Sequence, residues 1–425
     1  MQQPSPPSRP TRVLLLTQWF DPEPTFKGMV FARELVRQGF EVEVVTGFPN
    51  YPGGKVYPGY RIKWLEREVI DGVQVTRLPL YPNHDQSAIK RVLNYASFAA
   101  SALVYGLFMA KRADVMYAYH PPLTVGIAAS LIRLLRRIPV VYDIQDMWPD
   151  TLRATGMLSN PKALNLVAAV CRWVYRRVDR IVVLSPGFKR LLGERGVPAA
   201  KVDVIYNWAD EAALAAPTGQ LPAAFPGSDR FRILFAGNMG KAQALGAVLD
   251  AAALLQAQGS CVCFVMLGGG VELGTLKQQA AQRGLTNVVF LPAVPMAEVG
   301  TYLQAADALL VHLRKDPLFE ITIPSKTQAY MAAGKPLLMA VDGDAADLVR
   351  QSGGGVVAES ENAAGLAQAA DALTETRPQA LANMGQQAQQ FYAEHLALAV
   401  GVGRFGEIFS ELASPRSRQV DRRKF

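Results

Sequence analysis

Hydrophobic positions along the chain fall into short unbroken runs. Each run is followed by a polar or glycine-containing turn and then by a stretch with apolar residues three and four apart. Residues 12–17 (RVLLLT) form the first run, 29–38 the first helical stretch, ending at Gly39, and 41–46 (EVEVVT) the second run. Strand, loop, helix, strand is the unit from which parallel sheets are built. Runs at 73–78, 115–119, 140–143 and 180–184 continue the series, with helical stretches at 128–137 and 163–177. A segment rich in Ala, Pro and Gly, 209–229, interrupts it and is predicted to be a linker. The pattern then restarts with strands at 232–235, 262–267, 288–291, 308–311 and 336–341. A helix at 245–258, a short helix from Pro324 to Gly334 and a largely helical stretch at 381–412 accompany them. The prediction is an α/β chain of two doubly wound, parallel-sheet, Rossmann-like domains, with ligands in the crevice beyond the carboxyl ends of the strands. The expected division is a disordered Pro-rich extension 1–11, a first domain 12–208, the linker 209–229 and a second domain 230–390. A helix 391–413 is expected to return to the first domain, followed by a basic tail 414–425.

Composition adds limits. Of the 425 residues 50% are hydrophobic and 19% charged, which excludes global disorder. A net charge of +8 suits anionic partners: nucleotide diphosphates, phospholipid headgroups or nucleic acid. The basic residues form no stripe with interleaved aromatics, so nucleic acid is set aside. Three cysteines make no disulfide framework. Cys261 and Cys263 alternate within an apolar run and read as a buried, reduced pair on one strand face, in keeping with a reducing compartment. No metal-ligand set is expected around them. Residues 93–110 are apolar and flanked by Lys90-Arg91 and Lys111-Arg112. The first reading is a helix buried or lying at a membrane surface, and the second is a true span.

Candidate chemistry lies just after the strands. Gly237, Asn238, Gly240, Lys241 and Gln243 follow the first strand of the second domain, either as a diphosphate cradle with a lysine at a helix start or as a plain turn. Gly268-Gly269-Gly270 with Glu272 follows another strand, and admits a base or ribose or makes a tight connection. Ser325 and Lys326 sit in the first turn of the helix opened by Pro324 and stopped at Gly334. A helix N-terminus with a hydroxyl and an ammonium describes an anion site, against an ordinary capped helix. In the first domain His120 ends a strand beside Pro121-Pro122. Asp143, Gln145, Asp146 and Trp148 crowd the next strand end, where carboxylates and an aromatic face suit a sugar, or else form a solvated turn.

Taken together, six segments are identified as those of glycosyltransferase family 4. They are 16–24 (LTQWFDPEP), 46–54 (TGFPNYPGG), 142–149 (YDIQDMWP), 205–208 (IYNW), 236–243 (AGNMGKAQ) and 323–336, opening IPSK. The chain resembles most closely the bacterial O-antigen, capsule and exopolysaccharide enzymes, near those named N-acetyl-fucosaminyltransferases. The resemblance implies a GT-B fold, two Rossmann-like domains facing across a cleft, and a hexosyltransferase-type, retaining reaction. The donor would be a nucleotide diphosphate sugar, namely a UDP-sugar carrying an N-acetylated hexosamine or 6-deoxyhexosamine, with no prosthetic group and no metal. Lys241, Ser325 and Lys326 would lie near the phosphates and Gly269 and Glu272 near the base. Gly28 would approach the diphosphate from the first domain, and His120 would face the donor sugar. The catalytic set is then His120, Lys241 and Lys326, and Asn50, Tyr51, Asp143, Gln145, Asp146 and Trp148 are acceptor or sugar candidates. The expected acceptor is a lipid-linked glycan, met by a cytoplasmic protein held peripherally at the inner membrane face for lipopolysaccharide or exopolysaccharide synthesis. One departure stands out. Many members carry two glutamates ahead of the terminal turn, and Ile321 and Ala329 occupy those positions here. Glu320 is one place off and remains a donor-contact candidate. The alternatives are a nucleotide-sugar epimerase of the same fold, with His120 as a near-neutral base, or a degenerate sugar-binding relative.

Overall fold

In the computed structural model, residues 9–83, 88–215 and 219–414 are described. The chain forms two compact units. Of the described residues, those in 9–184, 188–205 and 401–414 make up the first, and those in 185–187 and 206–400 the second.

The first unit is built on eight strands: β1 (Arg12–Leu16), β2 (Glu41–Gly47), β3 (Glu66–Ile70), β4 (Val73–Leu78), β5 (Val115–His120), β6 (Val140–Ile144), β7 (Arg180–Val183) and β8 (Val202–Val204). Their order is β3-β4-β2-β1-β5-β6-β7-β8, and every pairing is parallel except β3 with β4. The central strands are buried on both faces because helices cover them, so their sequences are continuous apolar runs. The antiparallel edge strand β3 was not expected. It alternates half-buried and exposed residues, and the turn Asp71-Gly72, both with positive φ, folds it onto β4. The order reverses between β1 and β5. Loops 17–28 and 121–122 therefore leave from the switch point, where open α/β sheets bind ligands.

The second unit has six strands: β9 (Phe231–Asn238), β10 (Val262–Gly269), β11 (Val288–Leu291), β12 (Ala308–His312), β13 (Leu337–Ala340) and β14 (Gly355–Ala358). All pair in parallel, in the order β11-β10-β9-β12-β13-β14. Its switch point lies between β9 and β12, ending at Asn238 and His312.

Several expectations need correction. The segment read as a linker at 209–229 belongs to the second unit, which starts at Tyr206. Ala209 is buried and its N–H donates to the Tyr392 hydroxyl at 3.0 Å, and Glu211–Ala215 is a helix. Alanine-rich sequence favours helix as readily as it suggests a spacer. The helical stretch 381–412 is two helices, Pro378–His395 and Leu398–Ala413, and the chain re-enters the first unit at Gly401 rather than at 391. In the 1–11 extension, Arg9 is ion-paired to Asp114 at 3.0 Å, while 1–8 lie outside the described residues. So does the basic tail beyond Ser414. Cys261 is exposed and precedes β10, while Cys263 is buried within it, so the two do not form a buried pair. Residues 93–110 fall mostly in the helix Ala88–Phe108. Among the described residues no helix is long and apolar enough to cross a membrane, which overturns the spanning reading.

Candidate active site

In the second unit the parallel pairing of β9 and β10 runs to their last residues, bringing Gly237 beside Gly268 and Asn238 beside Gly269. Gly237 and Gly268 take φ of +131° and +135°, and a Cβ on Gly268 would collide with the Gly237 carbonyl, so only glycine fits there. The Met239 N–H donates to the Gly269 carbonyl at 2.6 Å, and the Glu272 N–H donates to the Met239 carbonyl at 3.0 Å. The two glycine turns are thus one rigid rim. Gly240 donates its N–H to the Gln243 side-chain oxygen at 3.0 Å, so that oxygen is engaged within the loop itself. Lys241 is exposed and opens only a single 3-10 turn, Lys241–Gln243; the helix proper is Gly246–Ala257. The expected position of Lys241 at the start of an α-helix is therefore corrected.

Lys326 is different. Ser325 and Lys326 open the helix Ser325–Ala332, whose N-cap residue, Pro324, makes no side-chain bond to the first turn. Ser325 is exposed, whereas the Lys326 side chain turns inward. Its ammonium lies 3.6 Å from the centroid of the Phe235 ring and beneath Gly237, where an added Cβ would stand 3.3 Å away. The nitrogen is buried and has no hydrogen-bond partner among the described residues. Burial pushes its pKa down to about 7. A ring face compensates a desolvated cation only in part, so the site is short of an anion. Glu320 is exposed at the end of the helix Pro317–Glu320, with its backbone packed where Gly343 has no side chain.

The sequence reading passed over His312 at the end of β12. Its Nδ1 lies 2.7 Å from the Gln243 carbonyl oxygen. A carbonyl only accepts, so Nδ1 bears the proton and Nε2 is left as an acceptor. Nε2 is buried without a partner among the described residues, and burial lowers the imidazole pKa. A polar residue closing the apolar run ALLV was the available signal.

In the first unit His120 ends β5 and is buried, with its ring edge-on to Trp148 at 5.2 Å and to Tyr142 at 5.9 Å. Nδ1 has no partner among the described residues. Burial pulls the pKa down to about 3, so the imidazole is neutral at physiological pH and too weak to serve as the near-neutral base considered above. Asp143 is buried, accepting from the Tyr117 hydroxyl and the Gln145 amide, each at 2.6 Å. Burial raises its pKa, with Lys27, 4.0 Å away, opposing the rise. Asp143 and Gln145 thus hold each other, while Asp146 and Trp148 remain half-buried beside them. Asn50 is buried, donating to the Phe48 carbonyl at 2.9 Å, and Tyr51 stacks on Trp19 at 4.5 Å. Gly28 is buried at the start of the helix Met29–Arg37, whose first N–H is already capped by Asp21 at 2.6 Å. A Cβ on Gly28 would meet that carboxylate. Lys27 and Glu23, both buried, were not foreseen.

Residues 29–208 match the glycosyl transferase 4-like domain and 223–391 the glycosyl transferases group 1 family. The provisionally named colanic acid biosynthesis glycosyl transferase WcaI of Escherichia coli K12 is 30% identical over 319 residues, 71% of this chain and 75% of that protein. The provisionally named glycosyltransferase WbjE of Pseudomonas aeruginosa is 26% identical over 299 residues, 68% of this chain and 73% of its own. Among solved structures, Anabaena HepE in complex with UDP superposes with a TM-score of 0.67 at 16% identity, covering 94% of this chain and all of that one. Sucrose-phosphate synthase of Thermosynechococcus elongatus reaches 0.72 at 15% identity, over 95% and 99% of the two chains. With both family domains matched in order along two parallel-sheet units, the chain belongs to glycosyltransferase family 4, the nucleotide-sugar-dependent glycosyltransferases of GT-B fold.

Proposed function

We propose that the protein transfers an N-acetylated hexosamine or 6-deoxyhexosamine from a UDP-sugar to a lipid-linked glycan, with retention of configuration, in the synthesis of a surface polysaccharide. One observation carries the donor half: the Lys326 ammonium, buried beneath Gly237 in the first turn of its helix, has no hydrogen-bond partner among the described residues. A diphosphate supplies the anion this arrangement lacks. The choice of uridine rests on HepE, solved with UDP and with UDP-glucose. The choice of a surface polysaccharide rests on the name of the Escherichia coli relative.

As the anomeric carbon–oxygen bond breaks, Lys326 and the helix N-terminus stabilise charge on the departing phosphate. The acceptor hydroxyl attacks from the same face. With His120 held neutral and weakly basic, the proton of the acceptor hydroxyl passes to the departing phosphate, whose second pKa near 6 suits the task. Lys241, exposed on the same rim, adds positive charge at the entrance. His120 packs against the sugar rather than titrating. The membrane face is met through the helix Ala88–Phe108.

A donor screen tests this, following nucleotide diphosphate release with and without a lipid extract of bacterial membranes. Release that requires the extract is expected, and Lys326→Ala should lose roughly ten- to a hundredfold in donor affinity and turnover, the value of a charged hydrogen bond. An isomerised donor without extract, or a Lys326→Ala protein of undiminished activity, would overturn the proposal.

A further inference from the structure

Three aromatic side chains from three separate elements meet at the carboxyl end of the first sheet. Trp19 follows β1, Tyr51 follows β2, and Tyr95 lies on the helix Ala88–Phe108. The Trp19 and Tyr51 rings stack at 4.5 Å and 28°, and Tyr95 stands edge-on to Trp19 at 6.4 Å and 72°. All three are half-buried.

Beneath them is a polar layer that is more buried than the rings. One oxygen of Glu23 accepts the N–H groups of Asn50 and Tyr51, each at 2.7 Å, and the other accepts the N–H of Phe20 at 3.2 Å. One carboxylate thus clamps the loops that carry Trp19 and Tyr51. Gln18 donates to Asn94 at 2.6 Å, and Asn94 donates to Asn50 at 3.3 Å and to the Tyr81 carbonyl at 2.7 Å, which ties in the helix that carries Tyr95. Gln18, Glu23, Asn50 and Asn94 are each 3% exposed or less. Ordinary cores put rings inside and amides outside. Here the order is inverted. A desolvated polar network is costly and its return is geometric: it fixes the rings in place at the surface.

We infer that Trp19, Tyr51 and Tyr95 form a platform on which the sugar residue of the lipid-linked acceptor stacks. A pyranose presents a face of C–H groups bordered by hydroxyls, and rings with polar tips match both. The occupant follows from continuity. The helix bearing Tyr95 exposes Ala96, Ala100, Val104 and Phe108 at intervals of four, an apolar row that starts beside Tyr95 and winds along the helix away from it. A sugar carried on a lipid presents these two chemistries in that order. Glu23 is a positioning residue that acts through the loops.

This inference rests on the transferase reading, and its test separates the two. Two probes are titrated against the whole protein with UDP at saturation: an octyl diphosphate bearing one N-acetylglucosamine, and the same octyl diphosphate without sugar. Wild type should bind the glycosylated probe roughly fivefold to tenfold more tightly, the value of one or two ring contacts. Trp19→Leu and Tyr51→Leu should abolish that preference and leave UDP affinity unchanged, and Tyr51→Phe should keep it. Glu23→Gln should reduce the preference without altering UDP binding. Equal binding of both probes by wild type, or an undiminished preference in Trp19→Leu, overturns the platform. Absence of UDP binding and of extract-dependent turnover in wild type instead overturns the transferase reading.

Discussion

Lys326 shows how a residue's surroundings set its chemistry. Its folded-state pKa of about 7 lies below the ordinary 10.5. Folding therefore penalises its charged form; the penalty is complete below pH 7 and fades as pH rises from 7 to 10.5. Lys326→Met should accordingly raise Tm relative to wild type most near pH 6 and least near pH 10. On the proposed donor site, a bound diphosphate would reverse the balance by restoring the charge. UDP binding should then take up a proton above pH 7, with affinity full below that value and declining as pH climbs toward the pKa of the complex. Calorimetric titration at pH 8, in buffers of different ionisation enthalpy, should show uptake approaching one proton in wild type and clearly less in Lys326→Met. Equal uptake in both would contradict the assignment. The sequence made this lysine legible as a cation at a helix start. Its burial against Phe235 was not legible, because that contact joins β9 to a helix far along the chain. His312, Lys27 and Glu23 escaped notice for the same reason, as a single polar residue in an apolar stretch reveals nothing of what surrounds it.

At the scale of elements, the alternation of apolar runs and amphipathic stretches was enough to place most parallel strands, since doubly covered strands have no polar face to confuse the pattern. The edge strand β3 was less legible. Its Glu-Arg-Glu opening hides the alternation, although Asp71-Gly72 marks the hairpin. The helix Ala88–Phe108 yielded the more useful surprise. Its inner side packs on the sheet through Phe98, Ala102 and Tyr105, while its outer row is apolar without exception and Phe108 is 81% exposed. Leu134 and Leu135 on the helix Leu123–Arg136 are also exposed, and exposed Lys111 and Arg112 follow Phe108. Apolar residues beside cations match an anionic lipid surface. Vesicles containing phosphatidylglycerol should co-sediment with the protein in low salt, and partly in high salt, where the apolar contact persists. Val104→Asp combined with Phe108→Asp should abolish the high-salt fraction. Retention of that fraction by the double variant would remove the helix from the interface.

The whole molecule is organised by a chain that leaves the first unit, builds the second, and comes back. The returning helix Leu398–Ala413 is structural rather than ornamental. Phe405 and Phe409 are fully buried in the first unit, with Phe405 5.2 Å from Phe31 and 5.5 Å from Tyr117, and Phe409 6.1 Å from Phe40. The Lys27 ammonium lies 5.1 Å from the Phe405 ring, and Arg180 of β7 is ion-paired to Glu411 at 2.6 Å. The core of the first unit is therefore completed by residues of the helix Leu398–Ala413, and its stability is tied to a helix far from its strands in sequence. Phe405→Ala should cost about 3–5 kcal/mol, as for other buried aromatic truncations. The loss should be confined to one unit. Amide hydrogen exchange should quicken in β1 and β5, which the ring cluster around Tyr117 covers, while β9 and β10 keep their protection. Unchanged exchange in β1 and β5 would mean that the helix merely rests on the first unit. Equal quickening in β9 and β10 would mean that the two units unfold as one.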